Sequence, residues 1–220
     1  MIARIAASAI SKLPRQESTC PETPMPHDAW IGLMTFITDA ADEAVLLPTG
    51  LAVALVLVAM GWRRGAIVWS AVVAGGLAVI VALKIATSAC ASLAMQAGLL
   101  SPSGHTAASA MIAGGLVGLL MRPTRRNRAI AAVAAMLTAL VIGVTRVGLG
   151  VHTVTDVIVA APFGVLAAAL ISTLAAAPPP RFNPAPLLAV AVVVAICFHG
   201  LHLHAETIIR NFGANLGCPA

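Results

Sequence analysis

Six apolar runs dominate this 220-residue chain, at about 44–61, 66–86, 103–121, 129–147, 155–175 and 185–203. Each is long enough to cross roughly 30 Å of hydrocarbon as a helix. A helix satisfies its own backbone hydrogen bonds inside lipid. The expected fold is therefore all-α, a polytopic transmembrane helix bundle of about six spans. Only 10 % of residues are charged and mean hydropathy is +0.97, whereas a soluble domain carries about 25% charged residues. The chain's main partner is thus a lipid bilayer. Residues 28–40 are too few to span, but Trp30, Leu33, Met34 and Ile37 recur at helical spacing, which predicts a short N-terminal interfacial helix. The expected organisation is an N-terminal tail over 1–27, one transmembrane domain over 28–204 and a C-terminal tail over 205–220. Arg4 interrupts the apolar stretch near the start, so no cleavable leader is expected. Pro178-Pro179-Pro180 forces a stop between the fifth and sixth spans. Gly75-Gly76 and Gly114-Gly115 mark places for close helix packing.

Arginine placement orients the bundle. Arg63 and Arg64 follow the first span, Arg122, Arg125, Arg126 and Arg128 follow the third, and Arg181 follows the fifth. Loops 87–102 and 148–154 carry no lysine or arginine. The positive-inside rule makes the arginine loops cytoplasmic and turns the other two outward. It also puts both termini outside, which fits poorly with Arg4, Lys12 and Arg15 in the tail. The net charge of +5 sits in short loops, so it reports topology and not a nucleic-acid partner.

Two short strings lie at the outward ends of these runs. One is Pro102-Ser103-Gly104-His105. The other is Arg146, five residues, His152, three residues, Asp156. Ser103 after a proline is an ordinary helix cap. With Gly104 it would also expose free backbone N–H groups to an anion, and His105 beside them could move a proton. Arg146, just inside the apolar boundary, either snorkels to the surface or binds phosphate through its guanidinium. Asp156 suits a helix N-terminus, and at four residues from His152 it can also hold the imidazole and stabilise its protonated form. Lys84, one of two lysines in the chain, is either a snorkelling residue or a second cation facing the same anion.

Together these residues resemble the type 2 phosphatidic acid phosphatase superfamily of membrane lipid-phosphate phosphatases. The family pattern is Lys, six residues, Arg-Pro; then Pro-Ser-Gly-His; then Ser-Arg, five residues, His, three residues, Asp. The second part is intact here, and the third is intact from Arg146 onward, with Thr145 in place of serine. In the first part Lys84 matches, but Ala91-Ser92 stands where the family has Arg-Pro. The resemblance reaches from about Asp28 to Leu174. It implies a lipid phosphate phosphatase that uses neither metal nor cofactor. His152 would be the nucleophile, Asp156 its orienting acid and His105 the proton donor and acceptor. Lys84, Ser103, Gly104 and Arg146 would hold phosphate. The implied substrate is a phosphorylated lipid such as a polyprenyl diphosphate, phosphatidylglycerol phosphate or phosphatidic acid. The implied location is a bacterial inner membrane with the site facing the periplasm. Phosphotransfer between lipids, or a degenerate protein that binds or transports phospholipid, are the alternatives that the altered first part leaves open.

Two further clusters bear on the outer face. His199, His202 and Glu206 fall at i, i+3 and i+7, with His204 nearby, a spacing that could hold a transition metal on one helix face. A polar exit from the membrane is the plainer reading, and no metal is expected. Cys20, Cys90 and Cys218 all fall in outward segments, with Cys197 inside the sixth span. An oxidising compartment favours one disulfide among the three, expected to join Cys90 to Cys20 or Cys218 and so brace the loop that lost Arg-Pro.

Overall fold

The computed structural model describes residues 26–180 and 182–218. Arg4, Lys12, Arg15, Cys20 and Arg181 lie outside the described residues. The chain divides at residue 30. Of the N-terminal unit only residues 26–30 are described, as the opening of α1 (Pro26–Asp39), where Trp30 is exposed.

Among its described residues the second unit has helices and no strand, and its helices follow the apolar runs. They are α2 (Glu43–Ala59), α3 (Arg63–Ala89), α4 (Ala91–Gln96), α5 (Gly104–Leu120), α6 (Arg125–Gly148), α7 (Val154–Leu174), α8 (Ala185–Phe198) and α9 (Ala205–Leu216). Polar residues set the starts. Asp42, Ser103, Thr124 and Thr153 each accept a backbone N–H from the first turn of α2, α5, α6 and α7. The proline run separates α7 from α8 as expected. The protein is thus a polytopic helical bundle with several helices long and apolar enough to cross a membrane.

α5 is the axis of this bundle. It packs chiefly against α6 and α7, and most of its residues are buried. The approach is close because the facing residues are small: a Cβ on Gly114 would lie 2.6 Å from that of Ala135 and 2.7 Å from that of Ala168. Small residues let helices approach where lipid offers no hydrophobic drive for association. Gly115 and Gly76 also face neighbours, whereas Gly75 looks into open space. Around Trp69, whose indole donates to the carbonyl of Gly50 at 2.8 Å, a core of larger side chains joins α2, α3, α5 and α7. Outward faces carry bare apolar side chains, among them Leu55, Ile67, Leu140, Ile158 and Ile196. Such a surface suits lipid and not water.

The ends of the bundle differ. At one end the starts of α3 and α6 carry the arginines, and Arg64 Nε and Trp62 Nε1 donate to the carbonyls of Leu174 and Ala175 at 2.9 and 3.2 Å. At the other end lie the starts of α2, α5 and α7 and the last turns of α3 and α6.

Two expectations need correction. The sixth run does not stay helical to residue 203: α8 stops at Phe198, and Gly200 turns the chain with φ 79°. His199 is drawn off the helix axis, its Nε2 3.0 Å from the carbonyl oxygen of Phe36. The segment expected as a C-terminal tail contains α9, which packs along α3. There Gly213 sits so close that a Cβ would lie 2.8 Å from the Ile85 carbonyl oxygen.

Candidate active site

The end of the bundle away from the arginine loops holds a cleft of ≈ 450 Å³ whose lining includes Asp42, His105, Arg146, His152, Glu206 and Arg210. A second hollow, ≈ 360 Å³, meets it at His152, Glu206 and Arg210 and extends along Thr87, Ala91 and Ser101.

His152 is placed by backbone before it is placed by any side chain. The turn after α6 folds back so that the Arg146 carbonyl accepts the N–H groups of Val151 and His152, with Gly150 at φ 70° making the reversal. Asp156 then fixes the ring. It is fully buried in the first turn of α7, where it forms a reciprocal cap with Thr153. Its Oδ1 accepts from the backbone of Leu100 and Ser101, both at 2.9 Å, and its Oδ2 from Thr153 at 2.9 Å. The same Oδ2 lies 3.4 Å from His152 Nδ1. This pairing puts the proton on Nδ1 and leaves Nε2 with a lone pair. Nε2 is buried and has no hydrogen-bond partner among the described residues. Burial is the main influence on the ring, with the cations Lys84 and Arg146 adding to it against the carboxylates of Glu206 and Asp156. The net effect depresses the His152 pKa below its ordinary value, so the ring is neutral at pH 7.

His105 lies in the first turn of α5, buried, with Nε2 3.6 Å from Asp42 Oδ2 and Nδ1 unpartnered among the described residues. Asp42 is held in turn by the backbone N–H groups of Ala44 and Leu203. Lys84 reaches the site from the last turns of α3, running beside Gly104. A Cβ at that glycine would lie 3.2 Å from Lys84 Cε, so a larger residue would crowd the ammonium. The ammonium pairs with Glu206 Oε1 at 2.9 Å. Arg146 is half-buried in the last turn of α6, its Nε without a hydrogen-bond partner among the described residues. Ser103 is fully buried and used as a cap: its hydroxyl meets Thr106 Oγ1 at 2.9 Å and accepts the Thr106 N–H. Its backbone N–H donates to the Asp156 carbonyl and so ties the two strings together.

Residues 80–179 match the PAP2 superfamily model. The chain carries a PAP2 superfamily segment. No curated protein and no solved structure matches the chain. The PAP2 segment takes in Lys84, Ser103, Gly104, His105, Arg146, His152 and Asp156, so all the residues read from the motifs lie within it. His105, Arg146 and His152 share the cleft directly, Lys84 joins them through Glu206, and Ser103 lies behind the cleft wall.

The PAP2 segment leaves out four residues that the structure adds: Asp42, Glu43, Glu206 and Arg210. Asp42 and Glu43 were legible as acids at the mouth of an apolar run, and Arg210 as a cation near the chain end, but spacing ties none of them to the strings. Ala91 and Ser92, where Arg-Pro is absent, begin the short helix α4, and Ala91 lines the second hollow. Beside them Cys90 is bonded to Cys218, one of the two pairings expected.

The suspected metal spacing at the end of the sixth run is not a site on one helix. His199 contacts Phe36, His202 lies near Asp39 and Asp42, and Glu206 on α9 pairs with Lys84. Among the described residues, ligand atoms of Asp42, Glu43 and His105 come within 4.8 Å of one another, a set that could hold a cation.

Proposed function

We propose that this protein is an integral-membrane phosphatase that cleaves the phosphomonoester or diphosphate of a membrane lipid through a phosphohistidine. The observation that carries the reading is the buried His152–Asp156 pair, which leaves Nε2 without a partner among the described residues in a cleft shared with His105 and Arg146. A protein that only bound phospholipid would have no use for an oriented nucleophile facing a second histidine.

In the first step the Nε2 lone pair of His152 attacks phosphorus while the bond to the lipid oxygen breaks. Protonated His105 gives its proton to that oxygen, and the lipid leaves as the alcohol or, from a diphosphate, as the monophosphate. Asp156 carries the countercharge for the imidazolium that forms on His152. In the second step neutral His105 takes a proton from water as the water oxygen attacks phosphorus. The N–P bond breaks, and inorganic phosphate and neutral His152 are restored. Asp42 faces His105 as the countercharge its protonated form requires. Arg146 and Lys84 hold the phosphate oxygens and stabilise charge in both transition states. No metal enters either step.

The acceptor of the second step is water here. A lipid hydroxyl in its place would make the protein a phosphotransferase. The site lies at the end of the bundle away from the arginine loops, so the reading places the substrate headgroup in the outer leaflet, the periplasmic one in a bacterial inner membrane. Polyprenyl diphosphate, phosphatidylglycerol phosphate and phosphatidic acid all present the required group.

The test is phosphate release from these lipids in detergent, with acid-labile phosphoprotein trapped in parallel. The parent should release phosphate and trap label with chelator present, and His152→Ala should do neither. Parent-like turnover by His152→Ala would end the phosphohistidine reading. Loss of parent activity in chelator, restored by a divalent cation, would move the chemistry to Asp42, Glu43 and His105.

A further inference from the structure

Lys84 is assigned to the substrate's phosphate, yet it already has an anionic partner. Its buried ammonium is 2.9 Å from the carboxylate of Glu206. That carboxylate stands among the cleft's other basic groups. Burial pushes its pKa up, but Lys84 foremost, with smaller contributions from His152 and His105, outweighs burial and holds it below the ordinary value. Its charge is felt in turn by His105, Arg146 and His152. A carboxylate and a phosphate group are both acceptor-only oxyanions, and they make the same demand on a lysine.

Glu206 is brought there by α9, which is fastened to α3 at three levels. In the first turn Glu206 pairs with Lys84. Farther along, Gly213 lies flat against Ile85 and Ser88. Beyond the last turn Cys218 is bonded to Cys90. The far end of α9 is therefore covalently fixed. The end bearing Glu206 is held without a covalent bond, by the Lys84 ion pair, by the Leu203 N–H to Asp42 at 3.3 Å and by His202, whose Nδ1 lies 3.4 Å from Asp42 Oδ2. The Glu206 side chain is 27 % exposed, against 3 % for Lys84. Of the two partners, Glu206 is the one with room to leave.

We infer that Glu206 is a specificity-determining residue that competes with substrate phosphate for Lys84. This rests on the phosphatase reading of the same site. A phosphate group entering beside an undisplaced Glu206 would meet a like charge within a few ångströms in a partly desolvated cleft, which is strongly unfavourable. A lipid phosphate brings the binding of its chain and headgroup to offset that displacement; free inorganic phosphate brings none. Glu206 therefore discriminates for phosphate attached to a lipid and against phosphate alone. After hydrolysis its return to Lys84 helps expel the inorganic product.

The experiment compares Glu206→Gln with the parent, using inorganic phosphate and a detergent-solubilised lipid phosphate as separate ligands. The glutamine keeps an acceptor oxygen for Lys84 but loses the charge. Inhibition by inorganic phosphate should tighten by about tenfold, while KM for the lipid falls by less. Dithiothreitol reduces the Cys90–Cys218 bond to two thiols and is itself oxidised to its cyclic disulfide. By loosening α9 it should tighten phosphate inhibition in the parent and add nothing in Glu206→Gln. Cys218→Ser serves as a second variant with the same expectation. Unchanged or weaker phosphate inhibition in Glu206→Gln would show that Glu206 only positions Lys84, and would overturn the inference while the phosphatase reading stood. If the parent turns over no lipid, that reading fails on its own. Calorimetric binding of inorganic phosphate to the same variants then decides the competition, and equal affinities would end it.

Discussion

Whether His152 can act depends on its charge, because an imidazole attacks phosphorus only when neutral. Its pKa is depressed, chiefly by burial and then by Lys84 and Arg146. The sign follows directly: a lowered pKa preserves the neutral ring to more acidic pH. The acid limb of kcat/KM should therefore lie below the ordinary histidine value of 6.5. A limb centred above 6.5 in the pH profile would contradict this placement of His152. In the proposed scheme His105 carries the opposite requirement, since it must deliver a proton, and Asp42 Oδ2 lies 3.6 Å from its Nε2. Asp42→Asn and His105→Ala should both slow cleavage of an alkyl phosphate far more than that of an aryl phosphate, whose leaving group needs no proton. General acid catalysis is worth about 10²–10⁴-fold, so the difference is measurable. Equal losses on both esters would remove proton donation from His105.

At the scale of the element, the hydrophobic pattern carried most of the information. Five of the six runs end within a few residues of a helix end, because apolar length and polar caps are both local properties. The sixth was overread. Residues 199–203 are apolar enough to continue a helix, but Gly200 and the contact from His199 to Phe36 end it, and that contact joins residues 163 apart. α9 was missed for a related reason. Its Ile208, Ile209, Phe212 and Leu216 have helical spacing, but Glu206, Arg210 and Asn211 break the apolar signal that marks a span. The motif residues were legible because His152 and Asp156, or Gly104 and His105, are neighbours in sequence. Glu206 and Asp42 reach the same cleft from opposite ends of the chain, which no spacing encodes. The altered loop can be tested at this scale too. Ala91 lines the hollow that opens onto His152, so Ala91→Arg should bring a guanidinium to it and tighten inhibition by inorganic phosphate about tenfold, roughly the worth of one charge-assisted contact. No change in phosphate inhibition would mean that α4 holds its first residue away from the seat.

The whole molecule separates structure from chemistry along its length. At the arginine end, Trp62 and Arg64 tie the start of α3 to the end of α7. At the other end every charged side chain of the cleft gathers. The Cys90–Cys218 bond lies at that second end and spans 128 positions. Covalently, the chain from α4 to α9 is a closed ring, and α5, α6, α7 and α8 all lie inside it. A cut within a ring makes no fragments. In an Arg63→Gln, Arg64→Gln variant, which offers no cut outside the ring at this end, trypsin acting at Arg125 or Arg126, at the exposed start of α6, should leave one band on a non-reducing gel and more than one after reduction. Only vesicles that present the arginine end to the protease should show this. Two bands without reductant would mean that the ring is open in the membrane. The same gel thus reads two things at once: which way the bundle faces, and whether the helices that carry the motif histidines are held in a single covalent circuit.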